Sequence, residues 1–171
     1  MSALQDLSIL LVDDHKHART ITSAILRSAG MRKIHEVSDG SAALVALRSF
    51  PMDLAIVDFQ MMPLDGVDFT RLVRNSPDSP DPFLPIIMMT GHSDRTRVGE
   101  ARDAGVTEFI VKPITAKAVL DRIQAVILRQ RTFVKANDFF GPDRRRKATT
   151  QAGPRRRATD PVEPDPSLIL P

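Results

Sequence analysis

Acidic residues stand directly after two apolar runs of the chain. Asp13 and Asp14 follow Ser8–Val12, and Asp58 is the last residue of Leu54–Asp58. Short runs rich in Ile, Val and Leu are typical of strands that are buried on both faces of a parallel sheet. If both strands end at the same edge of one sheet, the three carboxylates converge there. Such a cluster should either take up protons or hold a cation, because like charges repel.

Two further polar side chains come at the ends of later apolar runs. Thr90 ends Ile86–Thr90, and Lys112 follows Glu108–Val111. A few oxygen ligands suit Mg²⁺, which keeps several waters and accepts one or two carboxylates together with phosphate oxygens. The Lys ammonium and the Thr hydroxyl could contact the oxygens of a phosphoryl group while one Asp attacks phosphorus. These residue types therefore predict phosphoryl transfer to a carboxylate.

The spacing of apolar residues predicts strands and helices in regular alternation. The predicted strands are 8–12, 33–37, 54–58, 86–90 and 108–111, and the predicted helices cover about 15–29, 41–49, 66–74, 93–104 and 115–130. This alternation favours an α/β fold, specifically a flavodoxin-like doubly wound five-stranded parallel sheet with five helices. In the expected strand order 2-1-3-4-5 the first and third strands are neighbours at the switch point where ligands bind.

The composition bounds the kind of protein. With 171 residues the chain can form one well-buried domain with residues to spare, and the absence of cysteine excludes disulfides and thiolate metal sites. No apolar run approaches the length of a membrane span, and the first residues do not resemble a secretory signal. We therefore expect a cytoplasmic protein.

The C-terminal part of the chain has a different composition. Residues 135–171 hold 8 of the 24 Lys and Arg and 5 of the 21 Asp and Glu, which leaves 16 of each in residues 1–134. Arg-rich runs occur at 144–147 and 155–157, and six of the thirteen prolines lie beyond residue 134. We expect residues 135–171 to be a Pro/Arg-rich, disordered tail. It is either a solubilising extension or a short element that binds an acidic partner, RNA or an anionic membrane.

The order and spacing of the polar residues resemble the receiver domain of two-component response regulators. The five features that carry the resemblance are Asp13-Asp14, Asp58, the turn Met62-Pro63-Leu64-Asp65-Gly66, Thr90 and Lys112-Pro113. The similarity extends over about residues 7 to 130, within a predicted receiver domain of residues 1–134. The chain is similar to the stand-alone, chemotaxis-regulator-like members of the family.

The resemblance implies a role for each acidic residue. Asp58 would be the phosphoacceptor. Mg²⁺ would be held by Asp13, Asp14, Asp58 and the main-chain carbonyl of Gln60. The protein would not be an enzyme with a separate substrate, but a phosphoacceptor that assists its own phosphorylation and dephosphorylation.

The resemblance also implies roles for residues on later strands. Lys112 and Thr90 would bind the phosphoryl group, and Phe109 would be the aromatic switch residue. The bond before Pro113 would be the family's cis-proline bond. Gln60 and His92 would tune the lifetime of the phosphoryl group.

Partners follow from the same resemblance. The phosphoryl donor would be a histidine kinase or a histidine phosphotransfer protein in a phosphorelay. The signal would reach a downstream protein target through the face made by the fourth helix, fifth strand and fifth helix, without a DNA-binding output domain or a membrane span. An alternative is a constitutive binding module that acts through its Arg-rich tail. A flavodoxin-like cofactor binder or a hydrolase is disfavoured, since acids and not a Gly-rich phosphate loop follow the first strand.

Two local features need separate treatment. Pro63 lies five residues after Asp58, one position later than is commonest in the family, so we expect a local backbone change in that turn.

His15 and His17 stand beside the acids, but the start of a helix would point them to different faces. We therefore interpret both histidines as exposed residues and not as metal ligands.

Overall fold

The computed structural model describes residues 2–91 and 97–145. After a single N-terminal helical turn, Ser2–Gln5, five strands and five helices alternate over these ranges and a hairpin follows. The strands are β1 Ser8–Val12, β2 Lys33–Val37, β3 Leu54–Asp58, β4 Ile86–Thr90 and β5 Glu108–Val111, with β6 Phe133–Ala136 and β7 Phe139–Pro142 in the hairpin. The helices are α1 Lys16–Ser28, α2 Gly40–Ser49, α3 Gly66–Asn75, α4 Val98–Ala104 and α5 Ala116–Leu128.

The main sheet is five-stranded and parallel, in the order β2-β1-β3-β4-β5. This confirms the predicted architecture and strand order. Every residue of β3 and of β4 is buried, as expected for central strands that are covered by helices on both faces. The pairing of β1 with β3 sets Val12 opposite Val57. The residues that follow β1 therefore lie beside the end of β3.

Two apolar layers cover the sheet. One face packs against α1 and α5 through side chains such as Leu26 and Ile123, and the other packs against α2 and α3 through Leu47 and Phe69. Burial of these side chains is the main favourable contribution to folding. The site therefore stands on a rigid, close-packed support.

Side chains in the connections fix where the helices begin. The carboxylates of Asp39 and Asp65 accept hydrogen bonds from Ala42 N at 2.8 Å and Asp68 N at 2.9 Å. Thr115 caps α5 in the same way, and each cap satisfies an N–H group that has no partner within its helix. Two of these caps, Asp65 and Thr115, fix helix starts after the loops that follow β3 and β5 at the site. The first part of the predicted helix 93–104 lies outside the described residues.

Residues 133–142 differ from the expectation of a disordered tail that begins at residue 135. They form an antiparallel hairpin, with Phe133 opposite Pro142, which packs against α3 and α4. Phe133 and Phe140 contact each other and Phe83, with ring centroids 5.2 to 5.6 Å apart. The predicted boundary at residue 134 therefore falls inside β6. Residues 146–171, which include most of the Arg-rich runs, lie outside the described residues.

A buried arginine joins the hairpin to the domain. The guanidinium of Arg74 donates to Gly105 O at 3.0 and 3.1 Å and to Pro82 O at 2.8 Å, and it lies 5.0 Å from the ring centroid of Phe133. Burial lowers the pKa of Arg74 to about 10, so this group stays charged at neutral pH. A buried charge needs partners, and the ring of Phe133 is one of them. The contact between Arg74 and Phe133 therefore anchors the hairpin to the domain.

No helix in residues 2–91 and 97–145 is both long and apolar enough to cross a membrane.

Candidate functional site

The polar residues predicted to act together lie at one edge of the main sheet. Asp13, Asp58 and Thr90 are 1%, 4% and 4% exposed, although each bears a polar side chain. Asp58 pairs with Met89 in the sheet register, so Thr90 lies one residue beyond it on the adjacent strand. The backbone N–H of Lys112 donates to Thr90 O at 2.8 Å. The carboxyl ends of β1, β3, β4 and β5 thus bring these residues to a common edge.

Carboxylates from two strands form a compact cluster. Ligand atoms of Asp13, Asp14, His15 and Asp58 all lie within 4.8 Å of one another. Two oxygens of the cluster, Asp13 Oδ2 and Asp14 Oδ1, are buried and accept no hydrogen bond of good geometry, although His15 Nδ1 lies 2.7 Å from Asp14 Oδ1. They are the only buried side-chain nitrogen or oxygen atoms in this condition over residues 2–91 and 97–145. Buried carboxylate oxygens without donors are costly, so the cluster calls for a positive group.

The donor set fits a hard divalent cation. Three carboxylates within reach of one point offer oxygen ligands, which Mg²⁺ prefers, and two of their oxygens accept no hydrogen bond of good geometry. Gln60 is exposed in the loop after β3, and the use of its carbonyl as a further ligand stays a prediction. The residues present therefore suit the Mg²⁺ expected from the sequence.

Lys112 reaches the cluster from β5. Its Nζ lies 2.6 Å from Asp58 Oδ1 and forms an ion pair with it. Burial raises the pKa of Asp58 above its ordinary value, and Asp13 adds to this, whereas Lys112 opposes it through a hydrogen bond and its charge. A single cation thus offsets only part of the cost of holding this carboxylate among other acids.

The loop after β3 fits closely around Asp58. Phe59 is fully buried, and its carbonyl accepts from Gly66 N at 3.1 Å. A Cβ atom on Gly66 would lie 2.5 Å from the carbonyl oxygen of Asp58, so only glycine fits there. Farther along the same loop, Met62 N donates to Asp14 Oδ2 at 3.1 Å. The loop therefore contacts both acidic strand ends.

Two peptide bonds at this edge are cis. They are the bond between Lys112 and Pro113, which the resemblance implies, and the bond between Met62 and Pro63, which the sequence does not predict. The second lies at the displaced proline, where a local backbone change is expected.

The predicted switch residue Phe109 is partly buried in β5. It pairs with Met88 in the sheet and packs against a cluster that contains Phe59. Phe59 directly follows Asp58 in the chain, so this cluster adjoins the site. His92, the second predicted rate-tuning residue, lies outside the described residues.

Three residues at the site escaped sequence reasoning. His15 is 75% exposed, as interpreted, yet its Nδ1 lies 2.7 Å from Asp14 Oδ1. Arg19 donates to the carbonyl of Asp13 at 2.7 Å. Arg97, before α4, pairs with Asp65 at 3.3 Å and lies 5.0 Å from the Phe59 ring centroid. Only the contact of Arg19 had a signal in the sequence. Arg19 lies six residues after Asp13, in the first turn of the predicted helix, from where a long side chain can reach back to the end of β1.

Comparison with known proteins identifies this arrangement. Residues 9–124, more than half of the chain, match the family described as the response regulator receiver domain. The chain belongs to the response regulator receiver domain family. The receiver domain is 35% identical over 123 residues to the chemotaxis protein CheY of Pseudomonas aeruginosa, a match that covers 72% of this chain and 98% of that protein.

Solved structures agree with this assignment. The receiver domain superposes on the chemotaxis protein CheY4 of Vibrio cholerae with a TM-score of 0.63 and 29% identity, covering 70% of this chain and 98% of that one. A receiver domain of a sensor histidine kinase from Pseudomonas aeruginosa, described with a magnesium ion coordinated in its active site cleft, gives a TM-score of 0.61 and 28% identity. That match covers 69% of this chain and 94% of that one. Receiver domains are phosphoacceptors in two-component signalling, and this chain is a CheY-like member of the class.

Proposed function

We propose that this chain is a stand-alone response regulator of a phosphorelay that accepts a phosphoryl group on Asp58. The observation that carries the proposal is the position of the Asp58 carboxylate between the Lys112 ammonium, 2.6 Å away, and the Asp13 and Asp14 carboxylates. This arrangement supplies a nucleophile, a fixed countercharge and a site for a cation in one buried place.

The reaction is a displacement at phosphorus. An oxygen of Asp58 forms a bond to the phosphorus of a phosphohistidine while the P–N bond breaks. The imidazole nitrogen leaves with that electron pair and takes up a proton. Lys112 stays beside the carboxylate and offsets the negative charge on the transferring group.

The donor is accordingly a histidine kinase or a histidine phosphotransfer protein. Asp13, Asp14, Asp58 and the carbonyl of Gln60 would hold Mg²⁺, which when bound supplies charge neutralisation for the phosphoryl oxygens. The ammonium of Lys112 would offset negative charge on the phosphoryl group during both transfer and hydrolysis, and the Asp13 and Asp14 carboxylates would hold the cation in both, so the chain assists both reactions of its own phosphoryl group.

The signal leaves the site through β4 and β5. Thr90 follows the residue that pairs with Asp58, and Phe109 packs against the cluster that contains Phe59. A hydrogen bond from Thr90 to the phosphoryl group would change the packing around Phe109. The face of α4, β5 and α5 would then change its affinity for a downstream protein, since a local charge change biases a two-state element.

Phosphoryl transfer is the direct test. Purified chain is incubated with Mg²⁺ and either acetyl phosphate or a phosphorylated histidine phosphotransfer protein, and intact mass reports the phosphoryl adduct. We expect one acid-stable, base-labile adduct in the wild type and in Asp78→Asn, which removes an exposed acid elsewhere. We expect none in Asp58→Asn. An equal adduct in Asp58→Asn would overturn the assignment of Asp58.

The alternative is a binding module that acts through the Arg-rich tail of residues 135–171, and most of the arginines of that tail lie in residues 146–171, outside the described residues. The cytoplasmic location also stays a prediction.

A further inference from the structure

A groove lies between the signalling face and the C-terminal hairpin. It has a volume of about 1150 Å³, and α4, β5, α5 and the segment after β7 all contribute to its walls. Its floor includes the apolar side chains of Val106, Phe109 and Pro142. Phe109 also packs against the cluster that contains Phe59, so the floor connects to the phosphoacceptor site.

Much of the groove lies outside the family match. That match ends at residue 124, whereas residues 129–132 and 142–145 line one side of the groove. Packing of Gly141 against Gly105 holds this side in place, together with the ion pair between Arg144 and Asp103 at 2.6 Å. The groove is therefore a property of this chain and its hairpin.

The charge of the groove is strongly positive. Six arginines and three acids line it, the arginines being Arg102, Arg122, Arg129, Arg131, Arg144 and Arg145. Glu108 pairs with Arg122 and Arg131, and Asp103 pairs with Arg144. Within the described part of the chain, the side chains of Arg102, Arg129 and Arg145 form no ion pair and are exposed. Three guanidinium groups thus face the groove without an acidic partner.

We propose that this groove binds an acidic peptide segment of a partner protein, in which Asp or Glu residues alternate with apolar side chains. The unpaired guanidinium groups suit carboxylates, which they bind in bidentate geometry. The apolar floor suits the intervening side chains. A nucleic acid fits less well, because its continuous phosphate backbone would also run past Asp103, Glu108 and Asp143, whereas a peptide can place apolar side chains there and its carboxylates beside the unpaired arginines.

The face made by α4, β5 and α5 is the signalling face of the proposed function, and the chemistry of its partner rests on that proposal. The lining of the groove nevertheless contains neither Asp58 nor any other residue of the acidic cluster. The test is therefore run on the wild type and on Asp58→Asn, so that failure to accept phosphate and failure to bind the peptide are separate results.

The probe is a short fluorescein-labelled peptide of Asp, Glu, Leu and Phe, measured by fluorescence anisotropy with the full chain. The comparison peptide has Asn and Gln in place of the acids. We expect the acidic peptide to bind both wild type and Asp58→Asn, with an affinity that falls as salt is added. The comparison peptide should bind at least tenfold more weakly.

Charge variants locate the site. Arg102→Gln combined with Arg129→Gln should weaken binding about tenfold. Arg27→Gln combined with Arg48→Gln changes the net charge equally at exposed positions on α1 and α2 and should leave binding unchanged. Equal weakening by both pairs, or by neither, would overturn the groove as the site.

Three further results decide the occupant. Replacement of Arg155, Arg156 and Arg157 together by Gln should leave the affinity unchanged. A loss of affinity equal to that in Arg102→Gln with Arg129→Gln would show that the peptide binds residues 155–157 and not the groove. Replacing Asp160, Glu163 and Asp165 by their amides should also have no effect, since a gain in affinity would make the chain's own end the occupant. Tighter binding of a single-stranded oligonucleotide than of the acidic peptide would replace the proposal with a nucleic-acid site.

Discussion

The ammonium nitrogen of Lys112, just after β5, lies 2.6 Å from Oδ1 of Asp58 at the end of β3, although β4 separates the two strands in the sheet. Lys112 is one-third exposed, whereas the side chain of Asp58 is almost fully buried. The pair therefore joins a solvent-facing cation to an interior acid. Such a pair stabilises the ionised carboxylate but does not abolish the cost of its burial.

Asp58→Asn should stabilise the metal-free protein at neutral pH. Burial raises the pKa of Asp58 above its unfolded value, so the folded state binds its proton more tightly and becomes less stable as pH rises through that raised pKa. The variant has no carboxyl group at this position to ionise, so its stability does not fall in this way. We expect a gain of about 1 kcal/mol in the free energy of unfolding at pH 7, measured in urea, that disappears as pH falls toward 4. A gain that persists unchanged at low pH would contradict the explanation.

Lys112→Ala should separate phosphorylation from the response to it. The variant loses the group that links the phosphoryl site to β5, but Lys112 is partly exposed, so we expect a loss of only about 1 kcal/mol in stability. Hydrogen exchange across Val98–Ala104 and Glu108–Val111 should change on phosphorylation of the wild type and hardly change in the variant. Lys117→Ala, which removes an exposed lysine paired with Asp121, should keep the full response.

Mg²⁺ should stabilise the wild type through the acidic cluster. Binding to the folded state alone adds about 1.4 kcal/mol at ten times the dissociation constant. Asp13→Asn should abolish that increment, while raising stability in EDTA because it removes one of three mutually repelling carboxylates. Thermal unfolding with and without MgCl₂ measures both effects. Asp78→Asn is the matched control, and a wild-type response in Asp13→Asn would exclude this cluster as the cation site.

Gly66→Ala should disturb the site itself. The added Cβ would meet the Asp58 carbonyl oxygen at 2.5 Å, which backbone movement alone can relieve. We expect a loss of about 2 kcal/mol in stability and slower phosphorylation. The control is Gly99→Ala, where nothing lies within 4 Å of the new atom and helix propensity should give a gain of about 0.5 kcal/mol.

Arg74→Ala should release the hairpin. It removes hydrogen bonds to Gly105 and Pro82 and the contact with Phe133, so we expect a loss of about 3 kcal/mol in the free energy of unfolding. Hydrogen exchange of residues 133–142 should accelerate more than that of β1. Arg71→Ala removes an exposed arginine paired with Asp68 and should cost less than about 1 kcal/mol. Unchanged protection of the hairpin in Arg74→Ala would show that Arg74 is not its anchor.

Sequence reasoning succeeded where local pattern and burial agree. Leu54–Asp58 is uniformly apolar up to its final acid, and all five residues are buried in a central strand. Such a pattern predicts a buried central strand, and the order of strands in the sheet then places Asp13 beside Asp58. The strand order and the meeting of the acids were therefore predictable.

It failed where a side chain depends on a partner that is remote in sequence. Arg74 lies in a helix that predicts an exposed charge, but its partners Gly105 and Phe133 come 31 and 59 residues later. The hairpin was hidden because Phe139 and Phe140 stand next to a turn and an Arg run, a composition typical of disorder. His15 was interpreted by helical phase, whereas it precedes the helix and turns toward Asp14.

The anchoring of the hairpin also yields a diagnostic pattern. An arginine in the last turn of α3 faces a phenylalanine just beyond α5 in this chain, where Arg74 lies 5.0 Å from the ring centroid of Phe133. Co-occurrence of these two residues with a Phe-Phe-Gly-Pro stretch, as in Phe139–Pro142, would mark other chains that carry the same extension. Receiver domains with and without the hairpin can thus be told apart by three short stretches of their amino-acid sequences.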